Sequence, residues 1–139
     1  MNGSSVLSPT RIMITEVDFD RLNELVQSPR YRAAQTALKD ELVNSIVVAS
    51  PDVPKRIVTM RSRVRIRDLE ADELQTYTLV YPGEADIDEG KLSILAPLAT
   101  ALLGTRTGQV VEFEAPAGPQ RLRVEKILYQ PEAAGDFHL

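Results

Sequence analysis

The side chains that most often perform chemistry in proteins are scarce in this chain of 139 residues. It contains no cysteine and a single histidine, His138, next to the last residue. Thiol nucleophiles, iron–sulfur clusters and zinc sites with several Cys or His ligands are therefore excluded. A catalytic histidine must be held in place by a third group, and residues near chain ends rarely are. We expect no catalytic residue and no cofactor.

Two loops contain fragments of ligand-binding motifs. Gly104 and Gly108 enclose three residues, whereas a Walker phosphate loop has four residues between its glycines, followed by Lys-Ser/Thr. In the acidic loop that begins at Asp86, Lys91 and Pro97 occupy positions 6 and 12, where a calcium loop has glycine and glutamate. Neither loop predicts a phosphate or metal site.

Arginine alternates with other residues in one segment, which is typical of a strand with one buried and one solvated face. A second alternating segment would place further arginines beside it if the two strands are neighbours. The predicted basic face comprises Arg61, Arg63, Arg65, Arg67, Arg121 and Arg123. An ordinary solvated face and a surface that binds phosphate or an acidic protein both remain open, because the strand order decides between them. The net charge of −4 argues against a protein that simply coats nucleic acid.

The elements that must position these groups begin with two apolar stripes at helical spacing. Thr15 is predicted to cap a first helix, which the Ser-Pro step at residues 28–29 ends, and the second stripe runs from Tyr31 to Ile46. A short connection between two helices predicts an antiparallel helical hairpin over residues 11–50, with a first arm about 18 Å long. Its tip contains no carboxylate and consists of Ser28, Pro29 and Arg30.

From residue 59 onward the apolar period changes from helical to two, which predicts strands. The predicted strands cover residues 59–67, 75–81, 92–95, 109–114 and 119–129. One short helix should begin at Pro97 and end before Gly104, because proline fits the first helical turn and glycine follows helix ends. Residues 1–10 are predicted to be a disordered lead, and residues 130–135 a tail. No leader or membrane span is recognisable, so we expect a cytoplasmic protein without membrane contact.

Several motifs in the second half resemble those of a known family. The segments ILAPLATALLG at 94–104 and GQVVEFEAPAG at 108–118 resemble the C-terminal domain of the bacterial transcript-cleavage (Gre-type) elongation factors. Within that superfamily, the segments TMRSRV at 59–64, TLVYP at 78–82 and YQPEAAGD at 129–136 resemble the regulators of nucleoside diphosphate kinase.

The resemblance implies an α+β chain in which a short helical hairpin, a coiled-coil arm, precedes an FK506-binding-protein-like (FKBP-like) domain at residues 53–139. That domain has a twisted antiparallel sheet and one short helix. The implied partner is bacterial RNA polymerase, which such proteins contact near the entrance of its secondary channel. A Ser-Pro step before the short helix belongs to the family's docking surface, and Ala96-Pro97 stands there in this chain. The candidate docking residues are Pro97, Leu98 and Thr100.

The departures from the family pattern concern catalysis. Cleavage factors reach the polymerase active centre with a longer finger, and acidic residues at its tip help to position Mg²⁺; this tip has none. The resemblance therefore implies a regulator without catalytic activity, acting on transcription and on nucleoside diphosphate kinase and competing with longer-fingered factors. Nucleic acid is expected at most as a weak or indirect contact, and no small-molecule substrate is expected. Oligomeric state, and whether kinase regulation is transcriptional or by contact, are left open.

Two alternative functions follow from the residues and the fold. The arginine strand favours a direct nucleic-acid binder, which would show a steep salt dependence of binding. A prolyl isomerase would need an aromatic-lined pocket, so it is the less favoured alternative. The aromatic residues available for such a pocket are Tyr77, Tyr81, Phe113, Tyr129 and Phe137.

Overall fold

The structure, a computed structural model, describes residues 12–30 and 36–136. Within these residues the fold is mixed α+β, with a curved five-stranded sheet, a separate pair of short strands and few helices. The predicted disordered lead at 1–10 and His138 lie outside the described residues. The finer descriptions of an FKBP-like domain and a protruding hairpin stay predictions.

The N-terminal segment consists of strand β1 (Met13–Thr15), helix α1 (Glu16–Val26), helix α2 (Thr36–Val43) and strand β2 (Ile46–Val48). The hydroxyl of Thr15 accepts a hydrogen bond from the amide of Asp18 at 3.1 Å, so the predicted N-cap is confirmed. The two helices contact each other.

The strand pair in this segment was not predicted. The second helix ends at Val43, so the prediction that its stripe continues to Ile46 is wrong. Ile46 instead begins β2, which pairs in parallel with β1, and its amide donates to the carbonyl of Ile12 at 2.8 Å. Three β-branched residues in succession favour an extended strand over a helix once a neighbouring strand supplies the backbone partners.

The main sheet contains five strands in the spatial order β5-β4-β3-β7-β6. Their bounds are Arg63–Asp68 for β3, Glu73–Val80 for β4, Lys91–Ser93 for β5, Val110–Ala115 for β6 and Gly118–Tyr129 for β7. All neighbours are antiparallel except β4 and β5, which are parallel, so the expectation of a purely antiparallel sheet is wrong at that edge. Two 3-10 turns, Pro82–Glu84 and Ile87–Glu89, reverse the chain before β5.

Helix α3 (Pro97–Leu102) begins at the predicted proline, and Gly104 follows it with a φ of +77°. The predicted tail is wrong in part, because Pro131–Ala134 form a short helix, α4. Its position is fixed by the buried Gln130, whose amide nitrogen donates to the carbonyls of Pro54 and Ile57 at 2.9 and 2.7 Å. Local patterns do not predict this anchoring, because both acceptors are backbone atoms distant along the chain from Gln130.

One apolar core joins the N-terminal segment to the sheet. Ile14 and Leu22 are buried in the same cluster as Val64 on the sheet and Leu102 of α3. Because that cluster fills only the inner face of the sheet, the outer face is left to solvent. The division into an arm at 11–50 and a domain at 53–139 stays a prediction. No helix within 12–30 and 36–136 is long and apolar enough to cross a membrane.

Candidate functional site

The outer face of the sheet gathers most of the predicted basic residues. Val64 and Ile66 of β3 are buried, which directs the arginines between and beside them to the opposite face. Strand β7 lies next to β3, so its outward cations join the same surface. We call this surface the arginine face; its members are Arg63, Arg65, Arg67, Arg121, Arg123 and Lys126.

The alternating sequence pattern does not place Lys126 on the arginine face, because it cannot show an irregularity in the pairing of β3 with β7. Simple alternation after Arg121 and Arg123 places Lys126 on the buried side. The register between β3 and β7 shifts between Arg65 and Ile66, and Lys126 therefore stands directly opposite Arg65, exposed to solvent. Nothing in the local sequence marks this bulge.

The arginine face contains like charges in direct opposition. Arg65 is paired in register with Lys126, and Arg67 with Arg123. Arg67 is relieved by Asp72 at 2.8 Å and by Glu125 at 3.5 Å. The hydrogen bond that Arg67 donates to the Asp72 carboxylate raises the pKa of the Arg67 guanidinium, so the guanidinium remains charged. These ion pairs neutralise one end of the face.

The other cations of the face differ in whether they have an ion-pair partner. Glu125 also pairs with Arg123 at 3.2 Å, which leaves four cations. Among the described residues, no carboxylate oxygen lies within 4.0 Å of the remaining four side chains, although Glu112 stands opposite one of them in register. These unpaired cations are Arg63, Arg65, Arg121 and Lys126.

Arg61 was predicted to belong to this face, and the structure places it elsewhere. It precedes β3 in a left-handed backbone conformation, with a φ of 64°. Its guanidinium binds both carboxylate oxygens of Glu84, at 3.1 and 2.9 Å, and lies 5.2 Å from the ring centroid of Tyr81. Burial acts to raise the pKa of Glu84, but the hydrogen bond and charge of Arg61 outweigh it and hold that pKa below its usual value.

A buried polar cluster, which we call the junction, fixes helix α1 to the sheet domain. The carboxylate of Asp18 accepts hydrogen bonds from the amide of Met60 at 3.1 Å and from the hydroxyl of Tyr81 at 3.4 Å. Burial raises the pKa of Asp18 to about 6, helped by the negative charge of Glu132 and opposed by the Met60 bond. Burial and the charge of Asp18 raise the pKa of Tyr81 as well.

The second part of the junction connects the residues just before β3 to helix α4. The Thr59 hydroxyl donates to the carboxylate of Glu132 at 2.7 Å and lies 2.9 Å from the hydroxyl of Ser62. Thr59 and Ser62 are both buried and their hydroxyls are satisfied. This arrangement supports structure and presents no free reactive group.

The predicted docking residues occupy the start of α3. Pro97 is exposed and Leu98 is half-buried, so both can be touched by a partner. Thr100 was predicted with them, but it is buried, and its hydroxyl donates to the carbonyl of Ile94 at 2.6 Å. Thr100 therefore secures the first turn of α3 and is not available as a contact.

The predicted tip residues follow the end of α1. Pro29 and Arg30 are exposed, and Ser28 is half-buried. Helix α1 has 11 residues, which corresponds to about 16 Å. Beside it an open cleft of about 560 Å³ is bounded by α1 and by Tyr81 and Pro82.

The geometry gives no support to the prolyl isomerase alternative. Among the described residues, Tyr81 is the sole aromatic residue bordering the 560 Å³ cleft, and Phe113 is the sole one bordering a second cleft of about 280 Å³. Phe137 lies outside the described residues. The part of the chain that the structure describes also contains no cluster of three or more His, Asp or Glu side chains arranged to hold a metal ion.

Comparison with known proteins agrees with this architecture. Residues 53–129 match the family model described as transcription elongation factor, GreA/GreB, C-terminal. This match covers the five-stranded sheet and α3, which is more than half of the chain. The chain therefore belongs to the GreA/GreB family.

Among curated proteins, the chain is 38% identical to the regulator of nucleoside diphosphate kinase of Escherichia coli K12, over 96% of this chain and 100% of that protein. It is 34% identical to the transcription elongation factor GreA of Amoebophilus asiaticus, over 73% of this chain and 63% of that factor. A solved GreA/GreB structure from Nitrosomonas europaea superposes with a TM-score of 0.72 at 37% identity, covering 85% of this chain and 99% of the other. The predicted family resemblance is confirmed.

Proposed function

We propose that this protein is a transcription regulator without catalytic activity that binds RNA polymerase near the entrance of the secondary channel. There it competes with GreA/GreB factors that carry longer fingers. The proposal is carried by one combination of features: a GreA/GreB C-terminal domain joined to an N-terminal helix of 11 residues. Such a protein has the part that docks and lacks the part that reaches into the enzyme.

The reach of the N-terminal segment supports exclusion as the mode of action. Helix α1 extends about 16 Å and packs against the sheet domain through Asp18 rather than projecting freely. Pro29 and Arg30, which follow the helix, bring no carboxylate that could hold Mg²⁺. We therefore expect the bound protein to obstruct the channel entrance without stimulating transcript cleavage.

The contact surface in this proposal is the exposed start of α3. Pro97 presents its ring to solvent at the first helical position, beside the half-buried Leu98. Pro97 and Leu98 expose apolar surface at the start of a helix, which suits a partner that binds by shape complementarity rather than by charge. Regulation of nucleoside diphosphate kinase would then follow from altered transcription.

The direct test is retention of the tagged protein by bacterial core RNA polymerase, compared with the Pro97→Glu variant. Glutamate is tolerated at the first turn of a helix because its charge favours the positive end of the helix dipole, so folding should be preserved. Pro51→Glu is the matched control, since Pro51 is also exposed at the start of a helical turn. We expect at least tenfold weaker retention for Pro97→Glu and no change for the control.

A second measurement addresses competition. Increasing amounts of this protein should suppress GreA-stimulated transcript cleavage in arrested elongation complexes, and the protein alone should produce no cleavage. Absence of polymerase binding at micromolar concentration, or cleavage by the protein itself, would overturn the proposed function.

A further inference from the structure

The arginine face has a charge arrangement that folding does not require. Arg65 and Lys126 stand directly opposite each other on neighbouring strands, and like charges in that position are destabilising. No described carboxylate lies within 4.0 Å of either group. The acidic residues of the same face stand elsewhere: Glu112 lies opposite Arg121, and Glu125 pairs with Arg67 and Arg123.

The composition of the face indicates the chemistry of its ligand. On β4, Thr76 stands opposite Arg65 and Thr78 opposite Arg63, so a row of threonines runs beside the row of arginines. Arginine, lysine and threonine side chains are typical donors to phosphate and sugar oxygens. The core of a protein–protein interface is enriched in aromatic residues and Met as well as Arg, and depleted of Lys. Among the described residues this surface contains Lys126 and one aromatic residue, Tyr129 opposite Arg63, and no Phe or Met.

The spacing of the cations favours an extended chain of phosphates. Alternate residues on a strand lie about 6.7 Å apart, which is close to the separation of successive phosphates along an extended nucleic-acid strand. Arg63 and Arg65 therefore form a line along which a single strand can contact one cation per phosphate, with Arg121 and Lys126 on the neighbouring strand β7. Arg67, next along β3, is held by Asp72 and Glu125. A rigid duplex curves away from such a line and contacts fewer of them.

We propose that the arginine face binds the phosphodiester backbone of single-stranded RNA. The guanidinium groups of Arg63, Arg65 and Arg121 and the ammonium group of Lys126 bind phosphates, and the hydroxyls of Thr76 and Thr78 hydrogen-bond the ribose 2′-hydroxyls. Because the proposed contacts are to phosphates and ribose, binding is expected to be independent of base sequence. This surface does not include Pro97 or Leu98, so RNA binding by the arginine face can be tested independently of polymerase docking.

The salt dependence of binding gives a quantitative test. Fluorescence anisotropy of a short labelled oligouridylate is measured against the full-length protein between about 50 and 200 mM salt. Four unpaired cations predict a slope of log affinity against log salt near −2.8, which corresponds to about a 50-fold loss of affinity over that range. Absence of binding at the lowest salt overturns the proposal.

Paired variants assign the effect to the face. Arg65→Gln combined with Lys126→Gln should reduce the loss over the same salt range to about 7-fold, since two contacts remain. Lys39→Gln combined with Arg106→Gln removes the same charge from exposed positions outside the face and should leave the slope unchanged. Equal effects of the two double variants would show non-specific attraction and contradict the proposal.

A variant expected to gain affinity excludes misfolding as an explanation. Glu125→Gln releases Arg123 from its ion pair, while Asp72 still holds Arg67. A fifth available cation should steepen the slope to about −3.5, or about a 130-fold loss over the same range. Unchanged binding by this variant argues against the face.

Two competitor ligands decide between RNA and other anions. Oligothymidylate of the same length lacks the 2′-hydroxyl and is expected to bind more weakly than oligouridylate. Equal binding of the two would overturn the assignment to RNA. Binding of polyglutamate in place of oligouridylate would assign the face to an acidic protein and overturn the proposal as well.

Discussion

The segment predicted to be one strand, residues 59–67, divides into two stretches that place their polar side chains differently, because the strand begins only at Arg63 and the prediction is wrong for residues 59–62. Residues 59–62 enter the junction, where the Thr59 and Ser62 hydroxyls and the Met60 amide are all hydrogen-bonded. Residues 63–67 form β3, where Arg63 and Arg65 face solvent without a nearby carboxylate. The change occurs between Ser62, which is buried, and Arg63, which is exposed, just after the left-handed turn at Arg61.

This difference separates structural polar groups from groups available for binding. A buried donor or acceptor without a partner costs about 1–3 kcal/mol, so the polar groups of the junction are satisfied internally. A solvated cation needs no protein partner, and leaving it unpaired costs little. The junction therefore holds the N-terminal segment on the sheet, whereas the arginine face keeps its charges for a ligand.

The largest effect is expected where the N-terminal segment approaches the sheet domain most closely. Gly104 has a positive φ, and a Cβ atom on it would lie 2.3 Å from the Cβ of Ile12. Gly104→Ala should lower the free energy of unfolding by about 3 kcal/mol or more, because backbone strain and overpacking add. Urea denaturation measures this change.

Gly83→Ala is the control for this substitution, since nothing lies within 4 Å of a Cβ there and its φ is ordinary. We expect a change within about 0.5 kcal/mol for the control. Equal stability of the two variants would contradict the close attachment of Ile12 to the end of α3.

The next effect is the pH dependence that Asp18 gives to the junction. Its pKa of about 6 in the folded protein exceeds the ordinary value of 3.8, so the folded state binds this proton more readily than the unfolded state does. The stability that the proton contributes is fully present below about pH 4 and is lost as the pH rises through 6. The loss amounts to about 3 kcal/mol.

Asp18→Asn removes this titration, so its unfolding free energy should vary less between about pH 4 and 7 than that of the unsubstituted protein. Asp20→Asn, on the exposed side of the same helix, is the control. Glu41, whose pKa burial raises to about 7, contributes in the same direction and remains in both variants. An unchanged pH profile for Asp18→Asn would show that the junction does not depend on this carboxyl.

The smallest effect is expected on the arginine face and has the opposite sign. Arg65→Glu places a carboxylate opposite Lys126, replacing a like-charge pair by an opposite-charge pair. The free energy of unfolding should rise by about 0.2–1 kcal/mol, while oligouridylate binding is lost. Arg63→Glu, which faces Tyr129 rather than a cation, should not stabilise the protein. Destabilisation by Arg65→Glu would indicate that the face is structural.

Much of the fold was predictable from local patterns. The N-cap at Thr15, the helix beginning at Pro97 and the strands near 75–81, 109–114 and 119–129 all follow from propensity and period. The errors occur where partners distant in sequence determine the local structure. Ile46 joins β1 in a strand pair, and residues 131–134 form a helix beside the anchored Gln130.

The candidate site shows the same division. Alternation alone correctly grouped Arg63, Arg65 and Arg67, because the side-chain period of a strand is a local property. Alternation also included Arg61, which a left-handed turn removes from the face. It omitted Lys126, which a bulge in the pairing of β3 with β7 adds to the face.

The sequence by itself determined the family, the strand and helix content and the scarcity of catalytic groups, since these depend on residue types, short motifs and period. The tertiary structure decided which charges are neutralised and which remain available. Glu125 pairs with Arg67 and Arg123 only because β7 lies beside β3, and Arg61 reaches Glu84 only because the chain turns back after β4. The attraction between two charges weakens with distance, so an ion pair forms only where strand order and register bring the two groups within a few ångströms of each other. A local sequence pattern contains neither the strand order nor the register.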